Sequence, residues 1–170
     1  MVNLKNDKIK NILQEIDSYT LHREFKEPRI RNPYYVYEKR DQIQMDLIDI
    51  RKYKDDNDEI TFLLVAIDSF TKFAWIIAMK KKDAITTLQA IKKIIDKLIE
   101  KDEKHKCILF DKGKEFFNRL IKNYLNEKEI KHLHPFSEIK AGIAERFNRT
   151  IQKLIFKYCT ENSTNRYINV

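Results

Sequence analysis

The apolar positions divide the chain into a regular succession of elements. Residues 5–20 carry Ile9, Ile12, Leu13 and Ile16 at helical spacing on an otherwise polar segment, which predicts a short helix. Residues 23–40 follow with Arg23, Lys26, Arg29, Arg31, Lys39 and Arg40 set among Pro28, Pro33 and three tyrosines. The prolines exclude a regular helix, so this stretch reads as an extended basic arm. The pattern changes at Gln42. Gln42–Ile50 is a strand, Arg51–Glu59 a charged connection, and Ile60–Asp68 (ITFLLVAID) a nearly continuous apolar run of strand length. Such a run fits a strand covered on both faces. A turn at Ser69–Lys72 leads to a third strand, Phe73–Met79. Three strands with short connections make an antiparallel meander.

Helical periodicity then takes over. Asp83 offers an N-cap, and Ala84, Ile85, Leu88, Ile91, Ile94, Ile95 and Leu98 repeat at three and four, predicting an amphipathic helix over 84–100. Lys106–Phe110 is a fourth strand. Lys114–Leu125 reads as a second helix, with Phe116, Phe117, Leu120, Ile121, Tyr124 and Leu125 as its apolar positions. Ile130–Leu133 is a fifth strand. Ile139, Ile143, Phe147, Ile151, Leu154 and Tyr158 form the stripe of a long final helix. The order βββαβαβα gives an α/β fold: a mixed five-stranded sheet flanked by helices. The chain accordingly divides into an N-terminal helix and basic arm (1–40), a core domain (41–160) and a polar tail (161–170). It has no internal repeat or low-complexity tract.

Composition narrows the class. A length of 170 residues suits one domain with a real core, and 42% hydrophobic with 35% charged residues reads as globular. No apolar run approaches the roughly 18–20 residues of a membrane span, and Met1–Lys10 has no signal-peptide stretch, so an intracellular protein is expected. A net charge of +8 favours polyanions such as nucleic acid. Cys107 and Cys159 do not combine with His22, His105, His132 or His134 at zinc-site spacing, and read as buried free thiols.

Three carboxylates carry the candidate chemistry. Asp46 interrupts an apolar strand (IQMDLIDI), where an aspartate is disfavoured and costly to bury alone. Asp111 ends the next apolar strand (CILFD), the position from which side chains project into a ligand crevice in α/β sheets. Glu145 lies on the final helix, about 200° around from Ile143 and so off the core stripe, sharing a face with Arg149 and Gln152. Singly, each has a bland explanation: a hydrogen-bonded strand residue, a turn former before Gly113, a solvated helix residue paired with Arg149. Together they suit phosphodiester chemistry, in which two divalent ions about 3.5–4 Å apart activate the attacking oxygen and stabilise the leaving one. Such ions are hard and take oxygen ligands. Asp49 and Asp68 also lie near strands; Asp49, three positions from Asp46, belongs to the other sheet face, and both read as structural.

In their local contexts these residues resemble a known family. Asp46 in QMDLIDI, Asp111 in LFDKGKEF and Glu145 in KAGIAERFNRTIQ look like the three signatures of the retroviral-type (rve-like) DDE integrase core, and AIDSFTKFAW is similar to that family's second-to-third strand hairpin. Glu145 follows Asp111 by 34 residues, close to the family's usual spacing, and Asp111 follows Asp46 by 65. The resemblance covers about residues 41–158. Within the family, the basic lead-in and ERFNRTIQ look nearest to integrases of Maverick/Polinton-type or Gypsy-type elements.

The resemblance implies an RNase H-like fold and a metal-dependent polynucleotidyl transferase. Asp46, Asp111 and Glu145 would be its catalytic residues and the ligands of a two-metal Mg²⁺ or Mn²⁺ site. It implies nicking of an element's DNA ends and their transfer into target DNA, a homo-oligomer of at least two protomers, and work in the nucleus or a virus particle. Lys112, Lys114, Lys140, Arg146, Arg149 and Lys153 surround the acids as candidate DNA contacts, with Arg149 matching the family's basic residue four after the glutamate. His134-Pro135-Phe136-Ser137 would be the mobile loop before the catalytic helix, and Gly142 would reduce bulk at that helix's start. Lys112 departs from the asparagine that many members carry after the second aspartate. The family's zinc-binding N-terminal domain would need two histidines and two cysteines ahead of the core, where only His22 stands. The alternative is a catalytically silent, domesticated integrase-like domain that binds DNA or protein.

Overall fold

The structure, a computed structural model, describes residues 35–99, 106–111, 113, 115–133 and 142–168, together with Lys8, Ile12, Leu13 and Glu15. The chain separates into two compact units, Met1–Asn32 and Pro33–Val170. Most of the predicted N-terminal helix and of the basic arm lies outside the described residues, as does the 134–137 loop.

The second unit carries a five-stranded sheet: β1 (Gln42–Asp49), β2 (Phe62–Asp68), β3 (Ala74–Met79), β4 (Cys107–Phe110) and β5 (Lys131–Leu133), in the spatial order β3-β2-β1-β4-β5. β1–β2 and β2–β3 pair antiparallel; β1–β4 and β4–β5 pair parallel. The expected meander and crossovers are therefore present, with β1 at the centre. The helices are α1 (Ala84–Ile99), α2 (Arg119–Glu127) and α3 (Gly142–Glu161). A short 3-10 helix, Arg51–Asp56, occupies the charged connection between β1 and β2.

Strand alternation distributes the core onto two faces. Ile43 and Met45 of β1 and Leu64 and Ala66 of β2 pack with Ile91, Ile94, Ile95 and Leu98 of α1 and Ile121 and Leu125 of α2. Ile48 and Val65 point the other way, into a cluster with Phe147, Ile151 and Ile155 of α3. β2 is buried along its whole length, as its unbroken apolar run requires. Asp83 caps α1, accepting the Thr86 N–H at 2.9 Å.

Two helix assignments need correction. The second helix begins at Arg119 rather than at 114, because the Asn118 side chain accepts the Ile121 N–H at 2.9 Å and so sets the first turn there. Phe116 is buried ahead of it, while Phe117 is 54% exposed. On α3 the inward row is Ala144, Phe147, Ile151, Ile155 and Cys159. Leu154 lies outside it, 57% exposed. Cys107 and Cys159 are free and only half-buried.

Beyond α3 the chain turns back onto the β1–β2 connection. Asn57 is fully buried; its Nδ2 donates to the carbonyls of Tyr53 (2.7 Å) and Asn165 (2.8 Å), and its Oδ1 accepts the Tyr167 N–H at 2.8 Å. Tyr167 is buried edge-on against Tyr53. Arg166 pairs with Asp58 at 3.0 Å.

Candidate active site

β1 alternates polar residues on the face that α3 covers. Gln44 is fully buried and Asp46 half-buried on that face, while Ile43 and Met45 face α1 and α2. The parallel ladder pairs Met45 with Phe110, and the Asp111 N–H continues it by donating to the Met45 carbonyl at 3.2 Å. Asp111, the first residue past the end of β4, therefore stands beside Asp46, since adjacent strands lie about 4.8 Å apart.

α3 completes the arrangement from above. Gln44 Oε1 accepts the N–H groups of Ile143 (3.1 Å) and Ala144 (3.2 Å) in its first turn. Asn148 Nδ2 donates to Asp46 Oδ2 at 2.6 Å. Asp46 Oδ1 accepts its neighbour's N–H, that of Leu47, at 2.8 Å. Glu145 sits in this first turn, half-buried.

The electrostatics identify an acidic centre. The Asp46 carboxyl is pushed up to about 6, mainly by burial and then by the charges of Asp111, Glu145 and Glu115, against the pull of the Leu47 N–H. Glu115 reaches back past Gly113, where a Cβ would meet its carboxyl carbon at 2.7 Å. Asn148 Oδ1, spare after its partner atom has bound Asp46, is buried without a hydrogen bond. The donor set is all oxygen, which suits a hard divalent ion. The acids are neighbours rather than a closed cage: among the described residues, no three Asp, Glu, His or Cys side chains gather tightly enough to hold one ion.

Of the basic candidates, Arg146, Arg149 and Lys153 are exposed on α3, and Lys157 extends the same row. Lys112, Lys114 and Lys140 lie outside the described residues. Asp68 is buried and structural: it accepts the Arg40 and Thr71 N–H groups at the β2–β3 turn. Asp49 pairs with Arg51 at the end of β1. Sequence reasoning missed Gln44, Glu115 and Asn148. Gln44 is two before Asp46 and Asn148 three after Glu145, so strand and helix periodicity carried the signal in both cases.

This sheet order, with helices on both faces and acids on its central strands, is the RNase H-like architecture of retroviral integrase catalytic cores. The dimeric form of the HTLV-2 integrase catalytic core domain in complex with magnesium matches with a TM-score of 0.57 at 22% identity, over 72% of this chain and 74% of that one. The BIV integrase core also gives 0.57, at 17% identity over 72% and 73%. A chain of the simian T-cell lymphotropic virus intasome in complex with the PP2A regulatory subunit B56 gamma gives 0.67 at 15% identity, over 95% of this chain and 56% of that one. In sequence, the model of the integrase core domain matches residues 37–134, a span that holds Asp46 and Asp111 and ends before Glu145. A Caenorhabditis elegans protein described as putative, uncharacterized and transposon-derived is 34% identical over 119 residues. That alignment takes in 70% of this chain and 41% of the relative, so the chain spans less than half of that protein's length. The chain belongs to the integrase core domain family.

Proposed function

We propose that this chain is the catalytic core of a DDE-type DNA integrase or transposase, a polynucleotidyl transferase acting on the ends of a mobile element and on target DNA. The observation that carries the reading is the acidic centre: Asp46 next to Asp111 across the β1–β4 pair, with Glu145 close enough to raise the Asp46 carboxyl. Asp46, Asp111 and Glu145 would hold Mg²⁺ or Mn²⁺, which when bound supplies an activated oxygen nucleophile and stabilises the leaving oxygen. Asp46 presents its carboxylate from the central strand, and Asp111 from just past the end of β4. Glu145 comes from the separate helix and closes the site from above. Asn148 holds one Asp46 oxygen in place, which fixes the rotamer of the central acid.

Arg146, Arg149, Lys153 and Lys157 are exposed and make no ion pair among the described residues. A row of such charges leading away from the acids would grip phosphates and position DNA without reading its sequence. Lys112, Lys114 and Lys140, which are near Asp111 and Glu145 in sequence, would add to it. The HTLV-2 core has been seen in dimeric and trimeric forms. By analogy this core would work as an oligomer, in the nucleus or a virus particle.

The test is a strand-transfer assay with Mg²⁺ or Mn²⁺, using the whole protein that contains this core, alongside calorimetric Mn²⁺ titration of the core itself. Activity in the parent and its loss in Glu145→Gln, with the fold intact, is expected. A parent that binds DNA but shows neither strand transfer nor Mn²⁺ binding would instead mark a silent, domesticated DNA-binding domain.

A further inference from the structure

The first four N–H groups of any α-helix lack partners within the helix, and a side chain close in sequence usually caps them. In α3 the second and third of these groups, Ile143 N–H and Ala144 N–H, are both taken by Gln44, from 99 and 100 residues away. Gln44 is fully buried. Its amide orientation is fixed from the other side. Gln42 Oε1 accepts both the Ser69 hydroxyl (3.0 Å) and Gln44 Nε2 (3.5 Å), so the Gln44 NH₂ points to Gln42 and its oxygen to the helix. A reversed amide would set NH₂ against two helix N–H donors.

The second tie is Asn148 to Asp46. From Gln44 to Asp46 is two strand residues, about 6.7 Å. From Ala144 to Asn148 is four helix residues, about 6 Å. The two steps match, so α3 runs alongside β1 in a fixed register with Glu145 between the ties. We propose that Gln44 is a positioning residue: a helix cap supplied by the central strand, which sets the first turn of α3 and through it holds Glu145 over Asp46. The function of that placement rests on the acidic centre being a metal site; the capping itself does not.

The experiment measures amide hydrogen exchange at Ile143 and Ala144 by NMR, and Mn²⁺ affinity by calorimetry, in the wild-type domain, Gln44→Met and Gln44→Glu. Methionine keeps the size and removes the acceptor; glutamate keeps the acceptor. In the wild type, both amides should be protected at least 100-fold over free peptide. Gln44→Met should lose about tenfold or more of that protection while the sheet amides stay protected, and should weaken Mn²⁺ binding by a similar factor. Gln44→Glu should restore the protection. Unprotected wild-type amides, or protection unchanged in Gln44→Met, would overturn the proposal. If Gln44→Met does not fold, the wild-type and Gln44→Glu protection decides: both must be high. Absence of Mn²⁺ binding in the wild type would count against the metal-site reading alone, because the exchange data still judge the cap.

Discussion

Neutralising Asp46 should stabilise the protein while disabling it. Its carboxyl is raised from 3.8 to about 6, so ionising it costs the folded state more than the unfolded one. At about 1.36 kcal/mol per pH unit, a rise of roughly two units corresponds to about 3 kcal/mol at neutral pH. Asp46 is only half-buried, and discounting for solvent screening leaves about 2 kcal/mol. Asp46→Asn has the shape and neutrality of the protonated acid and escapes this cost. In EDTA at pH 7.5 the variant should therefore be the more stable protein by about 2 kcal/mol, or about 4–8 °C in Tm for a domain of this size. The pH dependence follows from the raised value. Stability linked to Asp46 is fully present below pH 3.8 and is lost as pH rises through 6. The advantage of Asp46→Asn should thus be largest above pH 7 and shrink to nothing near pH 4. Urea unfolding of both proteins from pH 4 to 8 measures it. Equal or lower stability of the variant at pH 7.5, or a difference that ignores pH, would refute the account of a strained acidic centre.

Other perturbations probe other parts of the molecule. Arg149→Ala should lower the slope of log affinity for DNA against log salt by about 1, measured by fluorescence anisotropy, without changing Mn²⁺ binding. Asn57→Ala strands the Tyr167 N–H and two carbonyls, and should cost about 2–3 kcal/mol in urea unfolding. Ile151→Ala, on the inward row of α3, should cost about 2 kcal/mol. Leu154→Ala, on the outward side, should stay within about 0.5 kcal/mol of wild type by the same measurement.

The sheet was legible because its strands obey simple periodicities: β2 is apolar throughout and buried throughout, and α1 repeats at three and four behind an aspartate cap. The start of α2 was misread because Phe116 and Phe117 extend the apolar spacing backward. Asn118, polar and unremarked, takes the cap and ends the pattern there. On α3, Leu154 fits a helical stripe as well as Ile155 does, and only the sheet beneath decides which is inside. Asp46, Asp111 and Glu145 stood out because acids are conspicuous in apolar strands and in recognisable local contexts. Gln44 and Asn148 did not, because an uncharged amide on a strand or helix looks like surface until a partner 99 to 102 residues away is known.

That separation also sets an order of events during synthesis. β1 is made early, yet its polar face meets α3 only when residues near 143–148 have emerged, and Asn57 waits still longer for Tyr167. At about 5–20 residues per second, roughly a hundred residues take about 5–20 s. Through that interval Ile48, Leu63 and Val65 have no helix to cover them. A ribosome stalled before Gly142 would hold a chain with all five strands and one bare apolar face, a substrate for chaperones or proteases. The acidic centre is thus completed late, so a partly made chain holds two of its carboxylates without the third.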